Sequence, residues 1–148
     1  MDKLTTIQRI ANAKVAHENQ MKKIVALLNG KEVENPTPAD KKECEFGIWL
    51  YSRENRLQEI LRVLFYTNLE TLHTRWHIEY LRIYDIFFKG KSKKGFLSKM
   101  FNANNVEDML LDKAKLYYSE LETTSDELLR ALGSSQRRIE ALKEEKFI

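Results

Sequence analysis

Four side chains could together bind a metal ion, because the sequence has a single cysteine and three histidines. They are His17, Cys44, His73 and His77. Two histidines four residues apart on a helix project from the same side, so His73 and His77 could reach one ion. Structural zinc sites take four ligands from cysteine thiolates and histidine nitrogens. The four side chains therefore predict one zinc site, provided that the helices carrying them pack together.

Each of these residue types also has a simpler interpretation when it is taken singly. A histidine on an apolar helix face is usually a core or surface residue, and a lone buried cysteine usually behaves as a small hydrophobic residue. The combination favours a metal, because burying three imidazoles without partners would be costly. A di-iron bundle would need several inward glutamates, and a nucleophilic Cys–His pair would need an oxyanion loop. Neither feature is recognisable in the sequence.

The composition indicates one helical domain over residues 1–148. The chain has only five glycines and two prolines, which favours long helices. One cysteine excludes an internal disulfide and suits a reducing compartment. There is no secretory signal at the start and no run of about 18 apolar residues, so no membrane span is expected. A net charge of +3 is too small to predict a nucleic-acid partner. We therefore predict a soluble cytoplasmic protein.

The first predicted helix spans Lys3 to Leu28 and places His17 in the middle of an apolar stripe. Ile10, His17 and Ile24 recur every seven residues and should face the core. Asn29–Gly30 should end the helix, since glycine tolerates the left-handed conformation there.

The second predicted helix spans Pro38 to Arg53 and carries Cys44. The sequence Thr-Pro-Ala-Asp at 37–40 is typical of a helix start. We expect Cys44, Ile48 and Tyr51 to lie on its buried face. A glycine inside a helix is costly, so Gly47 suggests close approach of a neighbouring helix.

Two further helices complete the predicted fold. Helix 3 carries His73 and His77 in an aromatic stripe that ends near Phe88; it either runs continuously from about Asn55 or restarts at the Thr-x-x-Glu capping box at 67–70. Helix 4, about 106–146, repeats apolar residues every seven positions, with serine at core positions 125 and 135 and a break or bend expected near Gly133. We predict an all-α antiparallel four-helix bundle with a short extra helix and an extended C-terminal helix.

The sequence around Cys44 resembles a known family signature. Cys44-x-Phe46-Gly47-x-Trp49-Leu50 is similar to Cys-x-[Leu/Phe]-Gly-x-Trp-[Leu/Tyr] of the chemoreceptor zinc-binding (CZB) domain. That family also has an upstream histidine and a downstream His-x-x-x-His pair. Here His17 lies 27 residues before Cys44, and the pair starts 29 residues after it. The resemblance covers about residues 10–85. It departs from the family at Gln20, where an aromatic residue is common.

This resemblance implies a function and a set of partners. It implies that His17, Cys44, His73 and His77 hold Zn²⁺ in an often dimeric cytoplasmic sensor. Such a sensor responds to zinc availability or to oxidation of its cysteine ligand, including by hypochlorous acid. We expect a homodimer that signals to an output of the diguanylate cyclase or chemotaxis type, and no enzymatic activity. No output motif is recognisable, so the domain either stands alone or belongs to a longer protein.

The alternative is a metal-free helical interaction module. The basic loop at 89–99 could bind an anionic partner through Lys89, Lys91, Lys93, Lys94 and Lys99. Helix 4 could serve as a dimer contact or a connector, or simply pack in the bundle. The sequence leaves open whether the signal is zinc or oxidant. It also leaves open which residues orient the imidazoles.

Overall fold

In the computed structural model, residues 1–89 and 107–147 are described, and they contain helices and loops but no strand. The all-α prediction is confirmed. The helices are α1 (Lys3–Leu28), α2 (Glu45–Leu50), α3 (Leu57–Tyr84) and α4 (Asp108–Ala141). A π-helical turn, Asp85–Lys89, follows α3, and a 3₁₀ turn, Glu144–Phe147, follows α4. Apart from Lys89, the basic loop predicted at 89–99 lies outside the described residues.

None of the helices described is both long and apolar enough to cross a membrane.

Helix α1 has the predicted bounds. The Asp2 side chain caps its start by accepting a hydrogen bond from the Thr5 backbone N–H at 2.8 Å. Gly30 follows the helix with φ 79°, the left-handed conformation that glycine tolerates. Ile10, His17 and Ile24 are all buried, so the predicted stripe is confirmed.

Helix α2 is much shorter than predicted. Asp40 forms a local turn instead of starting a helix: its carboxylate accepts from the Lys42 N–H at 2.7 Å and its carbonyl from the Glu43 N–H at 3.1 Å. The helix begins only after Cys44. The predicted buried face is confirmed for Cys44 and wrong for Ile48, which is 62% exposed; Phe46 and Leu50 are buried in its place.

Helix α3 contains one break, and it lies where neither sequence alternative placed it. Arg62 has φ 65° and ψ 175°, and the chain is helical on both sides of it. The helix is therefore not continuous, and it restarts five residues before the capping box at Thr67.

Helix α4 runs without a break through Gly133, contrary to the expectation from the sequence. Its contacts fix its direction relative to α1 and α3. Along α1, Lys3 Nζ donates to the Glu140 carbonyl at 2.8 Å and His17 Nε2 lies 2.7 Å from Ser125 Oγ. Along α3, Arg75 pairs with Glu127 at 2.6 Å and Arg82 with Glu120 at 3.0 Å. Residue numbers thus rise along α1 and α3 as they fall along α4, so α4 is antiparallel to both. With α2 only six residues long, the four-helix bundle stays a prediction.

Two apolar clusters meet at the middle of the molecule. The first contains Ile10, Cys44 and Leu72, and the second contains Ile24 and Trp76. Along α1 the chain passes from the first cluster to the second at His17, and along α3 it does so at His73. The candidate ligands therefore lie where the two clusters adjoin.

Candidate metal centre

Three of the four predicted ligands form one compact group. The ligand atoms of Cys44, His73 and His77 all lie within 4.8 Å of one another. The Nε2 atoms of His73 and His77 each lie 3.3 Å from Cys44 Sγ. None of the three side chains is more than 5% exposed. Helix α3 supplies the two imidazoles one turn apart, and the start of α2 supplies the thiol between them.

Cys44 is held by the turn that precedes α2. Its Sγ accepts a hydrogen bond from the Gly47 backbone N–H at 3.2 Å, so the thiol caps the helix. A Cβ atom at residue 47 would overlap the Lys41 carbonyl oxygen and lie 3.3 Å from Cys44 Sγ. The close approach predicted at Gly47 is therefore real, but it comes from the turn and not from a neighbouring helix.

The proton position on His77 follows from its second hydrogen bond. Nδ1 lies 2.9 Å from the carbonyl oxygen of Ala39. A carbonyl only accepts, so Nδ1 carries the proton and Nε2 is unprotonated in the neutral ring. The lone pair of Nε2 is the one that faces Cys44.

The proton position on His73 follows from a chain of hydrogen bonds. The Tyr51 hydroxyl donates its single proton to Glu70 and lies 3.3 Å from His73 Nδ1. It can therefore only accept from the imidazole, which leaves His73 Nε2 unprotonated as well. Lys41 and Thr74 both donate to Glu70 at 2.9 Å or less and fix the carboxylate in place.

His17 is buried beside this group but lies outside it. It is absent from the set of ligand atoms that lie within 4.8 Å of one another. Its Nε2 lies 2.7 Å from Ser125 Oγ on α4. Its Nδ1 is buried and has no hydrogen-bond partner among residues 1–89 and 107–147. The ring packs edge-on to Trp76, with centroids 5.4 Å apart.

The comparisons with known proteins identify the segment that contains these residues. Residues 17–84 match the family model of the chemoreceptor zinc-binding domain. The resemblance to the CZB family is confirmed. The CZB segment, residues 17–84, contains all four predicted ligands and ends with α3, so α4 lies outside it. No curated protein and no solved structure shows a significant match to the chain.

Burial favours the uncharged forms of the four candidate ligands. It lowers the pKa of His17 to about 4 and that of His73 to about 3, and the neighbouring His77 adds to the effect on both. The pKa of His77 is also lowered by burial, although its bond to Ala39 opposes the shift. Burial raises the pKa of the Cys44 thiol, although the hydrogen bond from the Gly47 N–H opposes this shift. All three imidazoles are thus neutral near pH 7, as metal binding requires.

The donor set fits a zinc ion. One thiol proton can satisfy only one of the two Nε2 lone pairs that face Cys44. A cation between them would satisfy both. Tetrahedral bonds of about 2.1 Å to nitrogen and 2.3 Å to sulfur place the two atoms about 3.6 Å apart. The observed 3.3 Å is close to that spacing.

Three residues near the site were not identified from the sequence. The sequence placed Tyr51 on a helix face and Ser125 at a core position without a role at the site, and Glu70 only at the end of the predicted capping box at 67–70. Gln20 is buried, and its side chain lies near both His17 and Cys44. The departure from the family at Gln20 was visible in the sequence, but its proximity to these two side chains was not.

Proposed function

We propose that the chain is a zinc-binding regulatory domain. The observation that carries the proposal is the pair of unprotonated Nε2 atoms, each 3.3 Å from one buried thiol. Two neutral imidazoles aimed at a cysteine are the donor arrangement of a structural zinc site. The partners of the Nδ1 atoms, the Tyr51 hydroxyl and the Ala39 carbonyl, are the kind of group that orients imidazole ligands around zinc.

The proposed ligands are Cys44, His73 and His77, with His17 as the fourth. The support for His17 is its buried Nδ1, which makes no hydrogen bond to any described residue. Four protein ligands leave no open position for a zinc-bound water, so the proposed role is not catalytic. When bound, zinc supplies a cross-link among three segments of the chain.

We propose that zinc acts by holding several elements of the fold together. The ligands come from α1, the start of α2 and α3, so metal binding would tie these elements together. Ser125 connects α4 to the same site through His17. Loss of zinc would free α1 relative to α3, and α4 would carry the change to an output. We propose an antiparallel bundle of α1–α4 as the state that zinc stabilises.

The proposed response to oxidants resides on Cys44. Coordination would hold the cysteine as thiolate, the form that oxidants attack. Attack of the thiolate on a peroxide oxygen would transfer two electrons, give a sulfenic acid and release hydroxide. The site would then lose one of its four ligands.

The remaining assignments concern the cellular location, the oligomeric state and the signalling partner. We propose that the protein acts in the cytoplasm as a homodimer and relays its signal to a diguanylate cyclase or chemotaxis output. These assignments rest on the CZB match.

Hydrogen–deuterium exchange tests the regulatory role. We expect a chelator, and separately peroxide, to increase exchange in α1 and around Ser125 in the wild type. The Cys44→Ser variant should show raised exchange before treatment and little further change. Lys14→Ala, at an exposed position of α1, serves as the control and should behave as the wild type. If Cys44→Ser responded to both treatments as the wild type does, the proposal would be wrong.

A further inference from the structure

A second candidate site lies near the start of α3. A cleft of about 470 Å³ opens between this part of α3 and the C-terminal end of the chain. Four of its nine lining residues are arginine or lysine, and one is acidic; the lining is Arg56, Gln58, Glu59, Ile60, Arg62, Val63, Arg138, Leu142 and Lys146. This basic cleft is separate from the metal centre, since Arg62 precedes His73 by eleven residues on α3.

Most of the positive charge in the basic cleft is not neutralised. Glu59, its one carboxylate, is already paired with Arg56 at 2.7 Å. Arg62, Arg138 and Lys146 form no ion pair with any residue in the ranges 1–89 and 107–147. The cleft therefore attracts anions.

The backbone is unusual at two of these arginines. Arg56 and Arg62, with φ 52° and 65°, are the only residues other than glycine with positive φ in the described chain. Arg56 has the left-handed conformation that glycine and asparagine adopt most easily, whereas Arg62, with ψ 175°, lies in a region that is almost exclusive to glycine. A long charged side chain is unexpected at both positions. Strained backbone of this kind concentrates at ligand sites. Both residues line the same cleft, which indicates that their side chains are used there.

Arg138 is already held in position across the cleft. Its Nε donates to the Ile60 carbonyl at 3.3 Å, and its guanidinium lies 5.3 Å from the ring centre of Phe65. No hydrogen bond from its Nη groups to a described residue is present. A guanidinium fixed in this way loses little freedom when it binds an anion.

We propose that the basic cleft binds a small organic phosphate of about nucleotide size. One guanidinium group can bind two phosphate oxygens at once. Arg62 and Arg138 together supply two guanidinium groups. The volume suits a small molecule, and Ile60, Val63 and Leu142 offer apolar surface for the organic part. The site requires no metal, so a test of anion binding in the basic cleft is independent of the zinc proposal.

Calorimetric titration with adenosine diphosphate, and separately with inorganic pyrophosphate, tests this site. We expect the wild type to bind adenosine diphosphate more tightly than pyrophosphate, because only the former fills the apolar part. Arg62→Gly should weaken binding about 10–100-fold, the effect of losing a charge-assisted contact. Its melting temperature should not fall, since glycine adopts φ near 65° without strain. Lys146→Ala, at an exposed position, should also weaken binding and carries little risk of misfolding.

Arg53→Ala is the matched control, because Arg53 is an exposed arginine that does not line the cleft. It should bind both probes as the wild type does. The proposal is overturned if the wild type binds neither probe, or if Arg62→Gly and Lys146→Ala both retain full affinity. It is also overturned if Arg53→Ala weakens binding as much as Arg62→Gly and Lys146→Ala do. The probes would then bind through the general positive charge of the surface and not through the basic cleft.

Discussion

Whether the buried histidines can bind a metal depends on which ring nitrogen carries the proton and which one faces Cys44. Ala39 and Tyr51 accept from the Nδ1 atoms of His77 and His73, so both Nε2 lone pairs are turned toward Cys44. The same rings with the opposite tautomers would offer N–H groups to the thiol and could not coordinate. The hydrogen-bond partners are thus as important to the site as the ligands.

Removing the Tyr51 hydroxyl should weaken zinc binding. Tyr51→Phe leaves His73 Nδ1 without its acceptor, so the ring loses its fixed tautomer and orientation. We expect about 10–100-fold weaker zinc affinity, as for other partners of metal-binding histidines. Competition with a chromophoric chelator measures this affinity. Tyr84→Phe is the control, because the Tyr84 hydroxyl makes no hydrogen bond in the described ranges; equal affinities for the two variants would contradict the assigned role of Tyr51.

The sequence was sufficient to name Cys44, His73 and His77, which the structure brings together, but not the residues that support them. Cysteine and histidine are rare in this chain, and a spacing of four on a helix has a direct geometric meaning for His73 and His77. The roles of Tyr51 and Ser125 depend on how separate elements are placed against one another. No local pattern encodes that placement.

At the level of elements, the turn at 40–43 decides where Cys44 lies. The pattern at 37–40 resembles a helix start, but the Asp40 side chain bonds to the Lys42 N–H and closes a turn instead. The helix then begins after Cys44, and the thiol becomes its cap. Periodicity alone predicted α1 correctly, because nothing in that segment competes with the helix. It could not predict the break at Arg62, where neither glycine nor proline is present.

A pair of glycine variants tests this account of the turn. In Gly47→Ala the new methyl group would overlap the Lys41 carbonyl, so the turn must shift; we expect a loss of about 1–3 kcal/mol in the free energy of unfolding. In Gly133→Ala the nearest atom is Arg137 Nη1 at 3.6 Å, and we expect a gain of about 0.5–1 kcal/mol inside a helix. Urea unfolding measures both. A Gly47→Ala protein as stable as the wild type would refute the close approach.

Helix α4 should contribute to metal binding although it lies outside the CZB segment. Ser125→Ala removes the partner of His17 Nε2, so we expect roughly tenfold weaker zinc affinity. Ser119→Ala, at an exposed position of the same helix, should leave the affinity unchanged. Competition with a chromophoric chelator measures the zinc affinity of both variants. If both variants matched the wild type, α4 would have no part in the site.

For the whole molecule, the position of the site predicts that zinc stabilises the entire fold. The candidate ligands lie where two apolar clusters adjoin, so an ion there would hold both clusters together. At a free zinc concentration 1,000 times Kd, binding adds about 4 kcal/mol to the free energy of unfolding. For a domain of this size, we expect the melting temperature to rise by roughly 10 °C. Circular dichroism with and without chelator measures the change, and His73→Ala should melt at the same temperature in both conditions.

Metal content tests the central claim most directly. Elemental mass spectrometry of the purified wild type should find one zinc per chain. His73→Ala, purified in the same way, should contain almost none, while Tyr84→Phe should retain the full amount. A wild type without stoichiometric metal, or a His73→Ala protein with as much zinc as the wild type, would contradict the proposed zinc centre.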